Sequence, residues 1–193
     1  MTIAALGDSL TQGYGLPHED GFVPQLEVWL EESGAAVTLI NAGVSGDTTA
    51  GGLSRVAWTL TPEVDAMIVT LGGNDLLRGL DPESSRQNIN GILKAAAEAD
   101  VPVLLVGMEA PGNYGPDYKA EFEAIYPELA EAYGALYAGN FLDPISQKMR
   151  AGEDISALMQ ADGVHPNAEG VKLVVEALGP KVQELMVKAQ GGS

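Results

Sequence analysis

Residues 2–10, Thr-Ile-Ala-Ala-Leu-Gly-Asp-Ser-Leu, hold the clearest architectural signal in the chain. Within them, Ile3–Leu6 is apolar at every position, which is typical of a parallel strand covered on both faces. Gly7, Asp8 and Ser9 follow at once, and small polar residues after such a run indicate a turn into a helix. Because a serine at this position most often only caps the helix, a functional interpretation of Ser9 depends on the rest of the chain.

Apolar runs of the same kind recur along the sequence. The predicted strands are Ile3–Leu6, Val37–Ile40, Ala66–Leu71 and Val103–Gly107, with a weaker one at Leu136-Tyr137. Amphipathic stretches separate them, and this alternation predicts a doubly wound α/β domain with a parallel sheet of five strands. Ligands of such sheets bind beyond the carboxyl ends of the strands.

The amphipathic stretches predict the main helices. Their apolar residues recur at helical spacing in stripes that begin at Phe22, Leu53, Ile89, Phe122 and Val171. Pro166 fits the first turn of the final helix. Gly179-Pro180 predicts that this helix stops and restarts.

The composition indicates one globular domain. The chain has 193 residues, and we expect a single domain over residues 1–190, followed by a linker-like tail at 191–193, Gly191-Gly192-Ser193. The formal net charge of −17 disfavours binding to nucleic acid and to anionic membrane surfaces. The chain contains no cysteine, which excludes disulfides, thiolate metal sites and a cysteine nucleophile.

No apolar stretch approaches the roughly 18 residues that a membrane span requires. We therefore expect no stable membrane insertion, and we expect a monomer. No signal peptide is recognisable because Thr2–Leu6 already forms a predicted strand, although a chain trimmed of its signal peptide would look the same.

Four clusters of small polar residues follow strand ends or precede helices. They are Gly7-Asp8-Ser9, Asn41–Thr48, Gly72–Asp75 and Asp162–Asn167. Because the carboxyl ends of parallel strands meet at one edge of a sheet, we expect the clusters to converge on one site.

Three side chains in these clusters are the parts of an acyl-transfer site. A serine hydroxyl such as that of Ser9 becomes a good nucleophile when an imidazole takes its proton and a carboxylate orients the imidazole. The chain has two histidines, and His18 lies in a polar loop, so His165 is the expected base. Asp162 lies one short turn before His165 and can pair with it locally.

Three groups are candidate donors to the oxyanion of an acyl-transfer intermediate. Ser9 offers its backbone N–H at the strand-to-helix turn. Gly43 lets a backbone N–H approach a substrate where a Cβ would obstruct it. Asn74 offers a side-chain amide.

These blocks resemble the GDSL or SGNH hydrolases. The matching sequences are Gly7-Asp8-Ser9-Leu10, Gly43, Gly73-Asn74-Asp75 and Asp162-x-x-His165, in that order. Residues 72–80, 110–115 and 125–127 also look like the bacterial branch of thioesterase I, lysophospholipase and arylesterase. Glu109 departs from that branch, where an uncharged or basic residue is expected, and this bears on acyl-chain or leaving-group preference.

The resemblance implies a three-layer, flavodoxin-like α/β domain, the SGNH hydrolase fold. It also implies a serine esterase or thioesterase that cleaves short-to-medium acyl esters through an acyl-serine intermediate. The implied catalytic residues are Ser9, Asp162 and His165, with Ser9, Gly43 and Asn74 as the oxyanion hole. The expected substrate-contacting residues are Asp8, Leu76, Pro111, Asn113 and Tyr114, from segments 76–80 and 111–118.

The expected substrates are aryl esters, acyl thioesters and lysophospholipids, with no cofactor and no metal. The resemblance favours a periplasmic or secreted protein if a signal peptide has been removed, and a cytoplasmic one otherwise.

Three other functions stay open. A carbohydrate acetyl esterase would use the same fold and triad. Asp8, Asp47, Asp75 and Asp162 could instead form the oxygen-rich metal site of a phosphoesterase, although such sites usually include several histidines, and aspartates in loops commonly brace backbone N–H groups. A noncatalytic carbohydrate- or lipid-binding domain would keep the fold alone. A chromogenic short-chain ester, assayed with and without chelator, separates these functions.

Overall fold

The computed structural model describes residues 1–191 and contains a five-stranded parallel sheet. The strands are β1 (Thr2–Gly7), β2 (Thr38–Gly43), β3 (Ala66–Thr70), β4 (Val103–Gly107) and β5 (Leu136–Asn140). Their spatial order is β2-β1-β3-β4-β5, and every neighbouring pair is parallel. This is the flavodoxin-like order, so the predicted fold class is confirmed. The order reverses between β1 and β3, which is where ligands bind in such sheets.

Helices cover both faces of the sheet and complete three layers. They are α1 (Ser9–Gln12), α2 (Phe22–Glu32), α3 (Thr49–Thr59), α4 (Gly73–Leu77), α5 (Pro82–Glu98), α6 (Pro116–Tyr133), α7 (Asp143–Arg150) and α8 (Ala168–Gly191). On one face α8 packs against α2 and α7, and on the other α5 packs between α3 and α6. Short 3₁₀ turns lie at His18–Asp20, Gly112–Tyr114 and Ser156–Leu158.

The central strands are fixed by burial. Every residue of β3 and β4 is buried, as are the residues of β1 after Thr2. Phe22, Phe122, Tyr126 and Phe141 fill the layers around them with no exposed surface. Burying a large apolar side chain stabilises a fold by about 1.5–3 kcal/mol. The strand ends therefore hold defined positions, on which the functional loops are built.

The final helix differs from its prediction at both ends and in the middle. It begins at Ala168, where the Asn167 side chain accepts the Gly170 N–H at 3.0 Å, and Pro166 instead forms an isolated β-bridge with Met159. The helix runs on through Gly179-Pro180 to Gly191. The predicted tail thus begins at a helical residue, and Gly192 and Ser193 lie outside the described residues.

Tertiary packing explains why the helix does not break. A Cβ on Gly179 would lie 2.5 Å from the Trp29 ring, so glycine here allows a close approach between α8 and α2. Val182 and Leu185, which follow Pro180, have no exposed surface. Pro180 has no backbone N–H, so the helix lacks one hydrogen bond. The free energy gained by burying Val182 and Leu185 offsets that loss.

The second strand extends three residues beyond its predicted end. The prediction stopped at Ile40, but β2 continues through Asn41 and Ala42 to Gly43, which pairs with Gly7 of β1. The sequence signal failed because β2 is an edge strand whose end is polar and partly exposed. The short helices α4 and α7 were not predicted, since so few residues carry little periodicity.

Among the described helices, none combines the length and the apolar character needed to cross a bilayer.

Candidate active site

Ser9 lies at the reversal point of the sheet. It is the first residue of α1, directly beyond the carboxyl end of β1. The Asp8 side chain caps this helix by accepting the Leu10 N–H at 3.0 Å. The short β1–α1 turn thus projects the Ser9 hydroxyl from a buried strand into the edge of the sheet where all four polar clusters were expected.

The structure brings Ser9, His165 and Asp162 into one hydrogen-bonded chain. His165 Nε2 lies 2.8 Å from Ser9 Oγ, and His165 Nδ1 lies 2.7 Å from Asp162 Oδ2. The other carboxylate oxygen, Asp162 Oδ1, accepts the backbone N–H groups of Val164 at 2.9 Å and His165 at 3.0 Å. The short loop therefore fixes the carboxylate and the ring together.

These contacts lower the pKa of Asp162 to about 2, chiefly through the His165 backbone N–H, then the His165 ring and the Val164 N–H. The ionised carboxylate accepts a hydrogen bond from Nδ1–H and so favours the tautomer that leaves a lone pair on Nε2. That lone pair faces the Ser9 hydroxyl, which is the arrangement a general base requires.

Two residues that the sequence did not single out also hold the imidazole. Gln160 donates from Nε2 to the carbonyls of Tyr14 at 2.8 Å and Pro166 at 3.0 Å, and its backbone N–H donates to the His165 carbonyl at 2.8 Å. The Tyr14 ring packs against the His165 ring with centroids 4.9 Å apart. No sequence pattern marks these residues, since the contact joins segments that are distant along the chain.

Asn74 is oriented toward the site by the neighbouring loop. Its Nδ2 donates to the Asp47 carbonyl at 2.9 Å and lies 3.5 Å from Asp8 Oδ2. An amide nitrogen carries two N–H bonds, and the second makes only the long contact with Asp8 Oδ2, which a closer substrate oxygen can replace. The loop that precedes α4 includes Gly72 at φ +121°, a backbone conformation that suits glycine.

The structure does not support the oxyanion role predicted for Gly43. The Gly43 N–H donates to Asn41 Oδ1 at 3.0 Å. Gly43 is the last residue of β2 and does not line the cavity that contains Ser9. A Cβ at Gly43 would lie 2.3 Å from the Gln12 backbone nitrogen, so glycine is needed for strand-to-helix packing. The prediction failed because it ended β2 too early.

Gly46 occupies the position that Gly43 was expected to fill. It lines the same cavity as Ser9 and Asn74 and has φ +80°. Within residues 1–191 its N–H donates to no protein acceptor. Gly46 belongs to the predicted polar cluster 41–48, so the sequence had marked its loop. The cluster also contains Gly43, and the choice between the two glycines depends on where β2 ends.

Asp8 is a buried carboxyl group on the wall of the site. Its exposed fraction is 2%, and burial raises its pKa to about 6, although the Leu10 N–H opposes the shift. It was predicted to contact substrate. The structure shows that it lines the cavity, while its two oxygens face Leu10 and Asn74.

The site opens into a cavity of about 680 Å³, within the range of small-molecule pockets. Much of its wall is apolar. The apolar residues are Leu10, Leu76, Leu77, Met108, Ala110, Pro111, Leu142, Met149 and Val164. Leu76 and Pro111, which were predicted to contact substrate, are among these lining residues.

Asn113 and Tyr114, also predicted to contact substrate, are not brought to this cavity. Both lie in the exposed 3₁₀ turn Gly112–Tyr114, and the Tyr114 ring packs on Tyr118 with centroids 4.9 Å apart. Gly112, at the start of the turn, lines the cavity, but the Tyr114 ring lies against Gly79, where an added Cβ would be 2.9 Å from the ring.

The carboxylates of the alternative metal site are dispersed among different partners. Asp47 pairs with Arg55 at 2.7 Å, while Asp75 accepts hydrogen bonds from Thr49 and Ser85 in a buried network. Within the described residues, no three His, Cys, Asp or Glu side chains cluster in a way that could hold a metal ion.

Comparison with known proteins identifies close similarity to ester hydrolases. Residues 5–173 match the GDSL-like lipase/acylhydrolase family. The chain is 34% identical to Esterase TesA of Pseudomonas aeruginosa over 96% of this chain and 90% of that protein. It is 32% identical to thioesterase 1/protease 1/lysophospholipase L1 of Escherichia coli over 96% and 85% of the two chains.

A solved structure shares both sequence and fold. AlinE4, an esterase of the SGNH-hydrolase family, is 46% identical to this chain, covers 95% of each chain and superposes with a TM-score of 0.76. The family expected from the sequence is confirmed.

Proposed function

Because this chain belongs to the GDSL-like lipase/acylhydrolase family, we propose that it hydrolyses carboxylic esters and thioesters through an acyl intermediate on Ser9. The observation that carries the proposal is the hydrogen-bonded chain in which His165 Nε2 lies 2.8 Å from Ser9 Oγ and Nδ1 lies 2.7 Å from Asp162. Hydrolase activity of this type is common to the named relatives.

The geometry supports a two-stage reaction. Ser9 Oγ attacks the carbonyl carbon and passes its proton to His165 Nε2, and the carbonyl oxygen becomes the oxyanion. The bond to the alcohol or thiol then breaks, and His165 gives its proton to that leaving group. A water molecule next attacks the acyl-serine, giving one proton to His165, which returns it to Ser9 as the acid leaves. Asp162 stays ionised and stabilises the imidazolium.

The oxyanion is stabilised by three N–H donors in this proposal. They are the backbone N–H of Ser9, the backbone N–H of Gly46 and Nδ2 of Asn74. The free Gly46 N–H and the orientation of Asn74 by Asp47 support this set. Donors fixed before the reaction stabilise developing charge with little reorganisation.

The substrates proposed are short-to-medium acyl esters, including aryl esters, acyl thioesters and lysophospholipids. The apolar wall and the cavity volume of about 680 Å³ support an acyl chain of limited length. A panel of aryl, thiol and sugar acetates with longer acyl analogues separates this specificity from that of a carbohydrate acetyl esterase.

A serine-directed phosphonate and a matched pair of variants test the proposal. Ser9→Ala should lower kcat by about 10⁴-fold or more and abolish labelling. Ser45→Ala is the control, because Ser45 lines the same cavity but hydrogen-bonds to Gln12. Labelling at Ser45, or activity that is lost in EDTA and restored by a divalent ion, would overturn the assignment.

A further inference from the structure

Three charged residues line the cavity on elements other than the serine-bearing strand. They are Glu109 after β4, Lys119 of α6 and Asp143 at the start of α7. Glu109 follows β4, and β3 lies between β4 and the serine-bearing β1. Two strand spacings amount to about 10 Å. An acyl chain bound at Ser9 therefore passes apolar residues first and meets charge only when it is long.

An ion pair joins the segments that carry Glu109 and Asp143. Arg150, at the last turn of α7, donates to Glu109 Oε2 at 2.5 Å. Met149, its neighbour on α7, lines the cavity, as does Glu109 in the loop after β4. The pair therefore connects the β4 loop to α7.

The β4 loop holds Glu109 in place from the other side. Lys119 of α6 donates to the Ala110 carbonyl at 2.7 Å and to Glu123 at 2.6 Å, and it lies 3.6 Å from Glu109. Glu123 also accepts the Ala110 N–H at 3.0 Å. Glu109 thus projects toward α7 from a fixed backbone.

We infer that the Glu109–Arg150 ion pair is a specificity element that limits the acyl-chain length of the substrate, an inference that rests on the proposed function. An apolar acyl chain that reaches the pair displaces water from the charged groups and cannot form hydrogen bonds in its place. The free energy of binding such a chain is therefore less favourable. Because both side chains are partly exposed, the pair is weak. It therefore lowers kcat/KM for substrates with long acyl chains but does not exclude them.

The test measures kcat/KM for 4-nitrophenyl butyrate and decanoate, below the micelle concentration, in Glu109→Gln, Arg150→Met and the double variant. Each single variant should raise the decanoate-to-butyrate ratio about tenfold, comparable to the burial of about two more methylene groups. The double variant should raise it no further, because both changes remove the same interaction.

Lys148→Met is the matched control. Lys148 lies on the same helix and pairs with Glu153 at 2.9 Å, so its pair includes no residue of the cavity wall, whereas the Arg150 pair includes Glu109. It should leave the ratio within twofold of the wild-type value. Sodium chloride at 1 M, which screens exposed pairs, should raise the ratio more in the wild type than in the double variant.

The outcomes are distinguishable. An active wild type whose ratio is unchanged in Arg150→Met and Glu109→Gln, or changed equally in Lys148→Met, overturns the length-limiting role alone. A folded wild type that cleaves neither ester overturns the proposed function and this inference with it. Melting curves for each variant establish that the comparison is made between folded proteins.

Discussion

At the scale of a single residue, a substitution at Asn74 distinguishes a catalytic role from a role in loop structure alone. One amide N–H donates to the Asp47 carbonyl, and the other makes only a 3.5 Å contact with Asp8 Oδ2, which the developing oxyanion can replace. If the second N–H acts only as charge develops, Asn74→Ala lowers kcat by about 10²–10³, roughly 2.7–4 kcal/mol, with little change in KM. Steady-state kinetics on the purified variant measure both quantities.

Asn88 provides the control for that variant. Its amide donates to Thr49 Oγ1 at 3.0 Å, away from the cavity, so Asn88→Ala should lower the melting temperature and leave kcat near the wild-type value. An Asn74→Ala variant with the same behaviour, destabilised but fully active, would remove the side chain from the oxyanion hole.

Asp8 makes stability depend on pH. Its folded-state pKa of about 6 lies above the ordinary value of 3.8, so the folded protein holds this proton more tightly than the unfolded chain. The free energy of unfolding therefore falls as pH rises from about 4 to 6, and the penalty persists above that range. A shift of about two units corresponds to about 3 kcal/mol.

Asp8→Asn should remove this penalty, because the amide oxygen can still accept the Leu10 N–H without carrying charge. We expect the variant to gain up to about 3 kcal/mol at pH 8 and clearly less at pH 5. Urea unfolding at the two pH values measures the difference. A gain of equal size at both values would mean that ionisation of Asp8 is not its source.

At the scale of elements, Arg55 connects α3 to the ends of two strands. Its guanidinium donates to the carbonyl of Gly7 at 2.8 Å, to that of Ala42 at 2.6 Å and to the Asp47 carboxylate at 2.7 Å. Gly7 lies next to the Asp8-Ser9 turn, and the Asp47 carbonyl accepts from Asn74. Arg55 therefore positions Ser9, the nucleophile that we propose, together with Asn74, a proposed oxyanion donor.

Arg55→Lys keeps the charge but loses the planar set of donors, so the loops should shift. We expect kcat to fall about ten- to a hundredfold, with a smaller change in KM, since small misplacements are costly in catalysis. Arg86→Lys, which alters a surface pair with Glu128, is the control and should retain kcat. A less stable Arg55→Lys variant with unchanged kcat would show that the residue is only structural.

The elements that sequence analysis recovered are those whose burial is uniform along the chain. β3 and β4 were predicted almost to the residue because every position is buried, whereas β2 ends in the polar, partly exposed Asn41 and was cut short. That error led the prediction to Gly43 instead of Gly46, the oxyanion donor that we propose.

The hydrogen-bonded chain of Ser9, His165 and Asp162 could be predicted for a different reason. Asp162 and His165 are neighbours in the chain, and the strand-end rule places Ser9 at the same edge. Contacts that depend on packing between distant segments left no comparable pattern. Gln160 with Tyr14, Arg55 with Gly7, and Arg150 with Glu109 all join residues whose proximity follows from the tertiary fold alone.

At the scale of the whole molecule, acidic residues outnumber basic ones, and repulsion between their carboxylates is the main electrostatic effect. The chain carries 27 acidic and 10 basic residues. Among the lysines and arginines of the described residues, ion pairs involve only Arg55, Arg86, Lys94, Lys119, Lys148, Arg150 and Lys181. Most carboxylates therefore have no cationic partner, and their mutual repulsion opposes compact folding.

Salt should consequently stabilise the protein. At low ionic strength the screening length is about 30 Å, which spans much of a small domain, and at 0.15 M it is about 8 Å. Salt also weakens the exposed ion pairs, but each of these contributes only about 0–1 kcal/mol. Because repulsion acts over the whole acidic surface, we expect the melting temperature at pH 8 to rise by several degrees between about 0.01 M and 0.15 M sodium chloride.

The same melting measurements at acidic pH provide the internal control for this prediction. As pH falls toward 4, carboxylates of ordinary pKa begin to take up protons, so the net charge shrinks and the salt-induced rise should shrink with it. Asp162, with a pKa of about 2, stays ionised there, so the carboxylate of the triad is retained while the surface loses charge. A melting temperature that falls with salt at pH 8, or a rise that is equally large near pH 4, would show that charge repulsion does not govern the stability of the folded chain.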